Sequence, residues 1–226
     1  LKKDWEIERI EKALKLSEEA LSHCLGTVKE GMSEEDLALE LEFFIKGRGG
    51  ELAFESIVAF GERSALPHAN PTSRKLKKGD VILIDMGARI DGYCADITRV
   101  FFFGTPEEQL LKIYDAVLRA QERAIEGIRE GKRGEEIDEL ARGELREEGL
   151  AELFTHSLGH GVGREVHELP SLAPGSKERL PSSAVVTIEP GVYIEGLGGV
   201  RIEDMVLIGK KTSRDLTCFP KELTIL

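Results

Sequence analysis

The chain has 226 residues, of which 41% are hydrophobic and 32% are charged, and its formal net charge is −11. This length is enough for one large domain or two small ones with an ordinary buried core. The acidic balance argues against nucleic acid as a partner, because phosphate binding needs clustered Lys and Arg, and no apolar run approaches the roughly 18 residues of a membrane helix.

The amino-terminal residues and the cysteines bear on the cellular compartment. The first ten residues, LKKDWEIERI, are too charged for a signal peptide. Cys24, Cys94 and Cys218 are widely spaced and form no CxxC pair, which is typical of a reducing compartment and not of a disulfide framework or a structural zinc site. We therefore predict a cytoplasmic protein without a membrane partner.

Two parts of the chain predict the same order of elements. Apolar residues recur at helical intervals up to Gly31, and a second helix follows the predicted N-cap Ser33; the same pattern closes on Gly131 and continues into another helix. After these helices, the strand segment 76–87 of the first part aligns in sequence with the strand segment 180–191 of the second part. We infer an α+β fold with an internal duplication of two helix-helix-β-hairpin units, at about 10–105 and 110–226. Their strands are expected to form one curved, mostly antiparallel sheet with helices outside, in a single domain over residues 1–226.

Each predicted hairpin carries two acidic residues. Asp91-Gly92 between β-prone segments predicts a two-residue turn, which places Asp85 opposite Thr98 and makes Asp85 and Asp96 diagonal neighbours on one face. In the second half, a turn centred near Gly196 would bring Glu189 opposite Glu203 on one face.

Four carboxylates on a buried face raise one another's pKa and destabilise the fold unless cations lie among them. Arg99 and Arg201 are near in sequence, but they do not supply a basic partner for every acid. The segment THSLGHGVGREVHELP, directly before the second hairpin, holds three of the five histidines. Four acidic ligands and one imidazole suit Mn²⁺, Fe²⁺, Co²⁺ or Zn²⁺ in a two-metal site.

The ordered motifs DMGARIDGYCADITRVF, GHGVGREVHELP, IEPGVY and GVRIEDMVLI resemble the catalytic domain of the aminopeptidase P and prolidase group of metallopeptidases, which has the pita-bread fold. The resemblance implies that Asp85, Asp96, His160, Glu189 and Glu203 hold two divalent ions, with Asp96 and Glu203 bridging them. Mn²⁺ or Co²⁺ is expected first, with Zn²⁺ or Fe²⁺ as alternatives.

The resemblance also implies the roles of the remaining site residues. Glu189 is similar to the proton shuttle of the family, and Arg201 is similar to an arginine that orients Glu203 and neighbouring groups. His68, His156 and His167 match histidines that line the pocket and bind the substrate or the tetrahedral intermediate. The implied substrates are short peptides with proline in the second position, cut at the Xaa-Pro bond.

Two departures from the family pattern leave alternatives open. The family resemblance implies that residues 1–226 correspond to the catalytic domain alone, without the N-terminal domain of full-length relatives, which leaves the assembly open, with a homodimer as one alternative. Ser171 stands where some prolidases have an arginine for the substrate carboxylate, which favours an Xaa-Pro aminopeptidase over an Xaa-Pro dipeptidase. The alternatives are a pita-bread binding module without catalysis and a methionine aminopeptidase-like activity.

Overall fold

The computed structural model of the chain describes residues 1–226 and contains four α-helices in two pairs. The helices are α1 (Asp4–Leu25), α2 (Glu34–Gly47), α3 (Glu108–Gly127) and α4 (Gly134–Glu147). Ser33 caps α2 as predicted, because its side chain accepts a hydrogen bond from the Asp36 amide. None of these helices combines the length and the hydrophobicity that a membrane span requires.

The first helix of each pair ends earlier than its sequence pattern predicts. The periodicity was expected to close on Gly31 and Gly131, but α1 ends at Leu25 and α3 at Gly127. Both predicted glycines instead have φ of +83° in the turn that follows, a conformation that favours glycine. The apolar residues Val28 and Ile128 therefore pack from the turns and not from the helices.

Six strands follow the first helix pair and seven follow the second, and every strand pair is antiparallel. In chain order, the strands are β1 (Glu51–Leu52), β2 (Ile57–Phe60), β3 (Val81–Met86), β4 (Ala88–Ile90), β5 (Tyr93–Cys94), β6 (Ile97–Phe102), β7 (Gly159–Gly161), β8 (Glu168–Leu172), β9 (Val185–Ile188), β10 (Gly191–Ile194), β11 (Gly198–Arg201), β12 (Asp204–Leu207) and β13 (Arg214–Asp215). They form four hydrogen-bonded ladders, of which the largest has the order β13-β12-β9-β7-β8. A backbone hydrogen bond of 3.2 Å, from the Glu203 amide to the Thr98 carbonyl, joins the residue before β12 to β6.

Both predicted hairpin registers are present. Ile90 pairs with Tyr93 and Asp85 with Thr98, and both residues of the Asp91-Gly92 turn have positive φ. In the second half, Ile188 pairs with Asp204 and Gly191 with Arg201, so the intervening Glu189 and Glu203 lie opposite each other.

The central strand β3 is buried on both faces, and this decides where Asp85 points. Val81 and Leu83 belong to an apolar cluster built largely from α3, α4 and the second half of the chain. Ile82, Ile84 and Met86 instead pack in the cluster that contains α1 and α2. Side chains alternate along a strand, so Asp85 lies on the face of Val81 and Leu83, between the two halves.

Candidate metal centre

The five residues predicted as metal ligands line one cavity of about 340 Å³. They come from the ends of several strands in both halves of the chain: Asp85 from β3, Asp96 from the residue before β6, His160 from β7, Glu189 from the residue after β9, and Glu203 from the link between β11 and β12. The two hairpins and the histidine segment therefore meet at one place.

The imidazole of His160 lies close to three of the four carboxylates, those of Asp96, Glu189 and Glu203. Ligand atoms of Asp96, His160 and Glu203 all lie within 4.8 Å of one another. The His160 Nε2 atom is 3.2 Å from Glu189 Oε1 and 3.7 Å from Asp96 Oδ2. The Nδ1 atom lies 3.1 Å from the Gly161 carbonyl, which can only accept, so Nδ1 carries the proton and Nε2 faces the acids.

Two carboxylate oxygens in this group have no hydrogen-bond partner although they are buried: Asp85 Oδ1 and Glu203 Oε1. Their sister oxygens are bound, since Asp85 Oδ2 accepts from Arg201 at 2.6 Å and Glu203 Oε2 accepts from Thr98 at 2.5 Å. An unpaired buried carboxylate oxygen is costly, and a cation satisfies it. The donor set therefore fits divalent ions that accept oxygen and imidazole ligands.

Burial and mutual repulsion separate the pKa values of the four acids. Burial, followed by the charges of neighbouring carboxylates, holds the pKa of Asp96 and of Glu203 well above the usual range, and burial also raises the pKa of Asp85. Burial alone would raise the pKa of Glu189 as well, but the hydrogen bond and charge of His160 outweigh it and lower that pKa.

Arg201 contacts several of the groups around the cavity, but not Glu203 directly. Its Nη2 atom donates to Asp85, and its Nε atom donates to the Thr98 hydroxyl at 3.2 Å. Thr98 in turn donates to Glu203. Arg201 thus reaches Glu203 only through Thr98, whereas its direct carboxylate partner is Asp85.

Tyr193 is a site residue that the sequence reasoning missed. Its hydroxyl accepts a hydrogen bond from Arg201 Nη1 at 2.7 Å and lies 2.8 Å from His156 Nε2. The Nδ1 atom of His156 lies 2.8 Å from the Ser157 carbonyl, so Nδ1 is protonated and Nε2 accepts from the Tyr193 hydroxyl. The only sequence signal was the place of Tyr193 in IEPGVY, two residues after the start of β10.

Replacing Tyr193 by phenylalanine is expected to lower the free energy of unfolding by about 1–3 kcal/mol, because His156 and Arg201 each lose a buried partner. The matched control is Tyr93→Phe. Tyr93 is buried to a similar degree, but its hydroxyl donates to Glu6, which water reaches. Urea unfolding of both variants measures the difference, and equal losses would contradict the hydrogen-bond network described for Tyr193.

The other two predicted histidines lie at the rim of the same cavity. The His167 ring centre is 4.3 Å from that of His160, and burial lowers the pKa of His167. His68 lies on the exposed segment that follows the 3₁₀ turn Gly61–Ala65. Both line the cavity, so the structure brings all three pocket histidines to the metal centre.

A second group behind the cavity fixes the backbone of Glu203. Arg99, which is 1% exposed, donates to the Glu203 carbonyl at 2.6 Å and to Asp204 Oδ1 at 2.7 Å. Lys221 and Gln121 donate to the other oxygen of Asp204. The side chain of Arg99 is thus paired with Asp204 and does not neutralise the carboxylates that line the cavity.

The cavity also has an apolar side that the sequence reasoning did not identify. Phe54, Ile57 and Val166 line it, and Ile57 is the cross-strand partner of Asp85. Ser171 lines it as well. Phe54 and Val166 lie outside the regular strands and carry no periodic pattern, so nothing in the sequence marked them.

Comparison with known proteins gives a consistent family match. A model of metallopeptidase family M24 matches residues 8–210. The Xaa-Pro dipeptidase of Pyrococcus furiosus is 42% identical over 224 residues, which cover 99% of this chain and 64% of the relative. An uncharacterized peptidase of Bacillus subtilis is 43% identical, again over 64% of its length. The chain thus spans slightly less than two thirds of these relatives.

Solved structures agree with the sequence matches. An Xaa-Pro dipeptidase from Bacillus anthracis superposes with a TM-score of 0.98 at 43% identity, and an X-Pro aminopeptidase from Thermotoga maritima with a TM-score of 0.98 at 41% identity. In both cases the match covers 100% of this chain and 64% of the other. The duplicated α+β architecture is therefore the pita-bread fold expected from the sequence.

Proposed function

Because the chain belongs to metallopeptidase family M24, we propose that it is a metal-dependent exopeptidase that hydrolyses the Xaa-Pro bond at the N-terminus of short peptides. The observation that carries the proposal is the meeting of four buried carboxylates and one imidazole, with two carboxylate oxygens left unpaired. A module without catalysis has no physical reason to keep mutually repelling acids in register.

The residues that would hold the divalent ions are Asp85, Asp96, His160, Glu189 and Glu203. Mn²⁺ or Co²⁺ is our first choice, with Zn²⁺ or Fe²⁺ as alternatives, since all accept oxygen and imidazole ligands. Such ions, when bound, supply Lewis-acid polarisation of the scissile carbonyl and lower the pKa of the attacking water.

Proton transfer is assigned to Glu189. In the metal-free protein, burial would raise its pKa, but the hydrogen bond and charge of His160 outweigh burial and lower it. With divalent ions bound, their positive charge would keep the same carboxylate ionised at neutral pH, so that it could take a proton from the attacking water. The same carboxylate would then pass the proton to the leaving proline nitrogen. Its position is set by the Thr187 hydroxyl, which donates to Glu189 Oε1 at 3.0 Å.

Substrate binding is assigned to the three histidines and the apolar side of the cavity. Burial lowers the pKa values of His156 and His167, so both rings are neutral near pH 7 and add no charge to the cavity. His167 can hydrogen-bond the peptide directly, whereas His156 can do so only by exchanging the peptide for Tyr193 or the Ser157 carbonyl. Phe54, Ile57 and Val166 offer a surface on which a proline ring can pack.

We propose an aminopeptidase rather than a strict dipeptidase. A dipeptide carries its free carboxylate next to the proline, and a pocket selective for it needs a cation there. Arg201 is the one arginine that lines the cavity, and it is committed to Asp85 and Tyr193; Ser171, which also lines the cavity, is uncharged. Xaa-Pro dipeptidase activity is the second candidate, because relatives bear that name.

Composition and motif coverage bear on the domain organisation, the compartment and the partners of the protein. We propose that residues 1–226 form one catalytic unit that acts on short proline-containing peptides in the cytoplasm, with neither nucleic acid nor a membrane as partner, and with a homodimer left open as the assembly.

The test is to load the protein with Mn²⁺ or Co²⁺ and offer Xaa-Pro, Xaa-Pro-Yaa and Met-Ala-Yaa peptides. Release of the N-terminal residue from Xaa-Pro-Yaa, faster than from Xaa-Pro and absent from Met-Ala-Yaa, is the expected result. Cleavage of the dipeptide alone would establish the second candidate. Cleavage only of Met-Ala-Yaa, or of none of the three, would overturn the proposal.

A further inference from the structure

Two pairs, each of a buried acid and a partly buried arginine, lie outside the candidate metal centre, and each holds one of the histidine-bearing segments of the cavity. We propose that Asp138–Arg142 is a positioning pair for His156 and that Glu34–Arg63 is a positioning pair for His68. This inference rests on the proposed function, in which these histidines bind the peptide.

The first pair lies on α4 beneath segment 154–158. Asp138 is 2% exposed, and its two oxygens accept from Arg142 Nε at 2.8 Å and Nη2 at 3.1 Å. The remaining donors of Arg142 bind the carbonyls of Phe154 at 2.7 Å and of His156 at 2.9 Å. Arg142 thus ties the backbone of the histidine itself to the helix.

Two further contacts complete the hold on this segment. The Leu158 amide donates to Asp138 Oδ1 at 3.1 Å, so the pair binds the backbone on both sides of His156. The Arg142 guanidinium also lies 4.1 Å from the centre of the Phe154 ring, which packs edge-on against the His156 ring at 5.0 Å. The planar guanidinium of an arginine can donate to the Phe154 and His156 carbonyls at the same time, whereas the single ammonium group of a lysine cannot reproduce this geometry.

The second pair lies at the start of α2. The Glu34 side chain has no exposed surface, yet both of its oxygens are satisfied: Oε1 accepts from the Phe60 amide at 2.9 Å, and Oε2 accepts from the Thr72 amide at 2.9 Å and its hydroxyl at 2.7 Å. Phe60 and Thr72 are the two ends of the segment that carries His68. One carboxylate therefore closes this segment into a loop.

Arg63 holds the same loop from within. Its Nε atom donates to Glu34 at 3.0 Å, and its Nη2 atom donates to the Asn70 carbonyl at 2.8 Å, two residues from His68. His68 itself is exposed and has no fixing contact of its own in this loop. A flexible loop would lose binding energy on ordering, so a preformed loop favours substrate binding.

The two pairs do not occupy equivalent positions in the two halves of the chain. A structural role inherited from the duplication therefore does not explain them. Glu34 is the first residue of α2, whereas Asp138 is the fifth residue of α4, and the histidine segments lie on opposite sides of their strands: His68 follows β2 and His156 precedes β7. What the two pairs share is the element that they hold, a histidine segment at the rim of one cavity.

The experiment is a set of double-mutant cycles on kcat/KM for an Xaa-Pro-Yaa peptide with the full chain loaded with Mn²⁺. Arg142→Lys and Arg63→Lys keep the charge beside each buried acid, so both variants are expected to fold, but neither lysine can reproduce the guanidinium geometry. Each is combined with His156→Ala and with His68→Ala. The matched control is Arg119→Lys, an exposed arginine that binds Glu144 and Glu148 on the outer surface.

We expect Arg142→Lys to lower kcat/KM about tenfold, which corresponds to about 1.4 kcal/mol, and to lose most of that effect in the His156→Ala background but not in the His68→Ala background. Arg63→Lys is expected to lower kcat/KM to a similar extent and to lose most of that effect in the His68→Ala background but not in the His156→Ala background. Arg119→Lys is expected to leave kcat/KM unchanged. A loss that multiplies equally in both histidine backgrounds would overturn the proposal, because it would mark a general structural effect.

Amide hydrogen exchange separates this inference from the proposed function. Arg142→Lys is expected to speed exchange in segment 154–158 and not in 60–72, and Arg63→Lys the reverse. Unchanged exchange overturns the positioning pairs even if the enzyme is active. A wild-type protein that cuts no peptide overturns the proposed function, while the exchange data still decide whether the pairs hold these segments.

Discussion

Replacing Glu203 by glutamine is expected to have two opposite effects: loss of metal retention with at least about a 10³-fold fall in Xaa-Pro hydrolysis, and a gain in stability of the metal-free protein. Glu203 is 1% exposed, one of its oxygens has no partner, and burial raises its pKa well above the usual range. Removing its charge relieves the repulsion with Asp96 and Glu189 but would deprive the proposed ions of a ligand, which we expect to be worth several kcal/mol to the transition state.

The measurements are metal content after dialysis, peptide hydrolysis, and urea unfolding in the presence of a chelator. Glu195→Gln is the control, since Glu195 is exposed on the turn of the β10–β11 hairpin and faces water. It should retain metal and activity and leave the stability of the metal-free protein unchanged. A Glu203→Gln protein that keeps its metal, or that is less stable than wild type when metal-free, would contradict this account of the cavity.

The hairpin registers could be predicted because turn chemistry and strand periodicity are local. Asp91-Gly92 fixed the pairing of Asp85 with Thr98, and the glycine-rich turn at Gly196 fixed that of Glu189 with Glu203. The side on which four acids point follows from these registers alone. The family followed from the ordered motifs, and the comparisons bear it out.

Helix ends and long-range hydrogen bonds could not be predicted in the same way. The apolar pattern runs past Leu25 to Val28 because turn residues also pack in the core, so periodicity overstates the length of α1. The bond from Tyr193 to His156 and the bond from Thr98 to Glu203 join residues that only the folded chain brings together. No spacing rule in one sequence reports such contacts.

The continuous curved sheet was a simplification of the same kind. The strands divide into four ladders, and a register shift in the pairing of β7 with β8 interrupts the regular pattern between His160 and Gly161. A register shift of this type re-aims a side chain at a functional site, and here it lies at the one predicted imidazole ligand. Alternation along the chain cannot locate such a shift.

The stabilisation of the protein by Mn²⁺ or Co²⁺ is expected to increase with pH from about 5.5 to 8. In the metal-free protein, the raised pKa values of Asp85, Asp96 and Glu203 mean that the folded state holds protons that the unfolded chain has already released. Stability therefore falls as pH rises above the ordinary carboxyl range and towards the folded pKa values. The metal ions bind the deprotonated acids, so they compete with protons at low pH and bind freely at high pH.

The imidazole adds to the same trend. The hydrogen bond from His160 to Glu189 outweighs the effect of burial and raises the pKa of His160, so this ring must also lose a proton before Nε2 can coordinate an ion. Saturation at about 1,000 times the dissociation constant contributes about 4 kcal/mol, which for a chain of this size raises Tm by on the order of 10 °C near pH 8. At pH 5.5 the shift should be a small fraction of that value.

Thermal unfolding with and without metal at several pH values measures the shift, and calorimetric titration in two buffers of different ionisation enthalpy counts the protons released on binding. Glu203→Gln is the control, and its Tm should respond little to metal at any pH. A metal-induced shift that is constant with pH, or that grows as pH falls, would mean that the buried acids are already ionised. In that case the raised pKa values of Asp85, Asp96 and Glu203 would not account for the pH dependence of metal binding. The absence of any metal-induced shift at any pH would contradict the proposed metal centre itself.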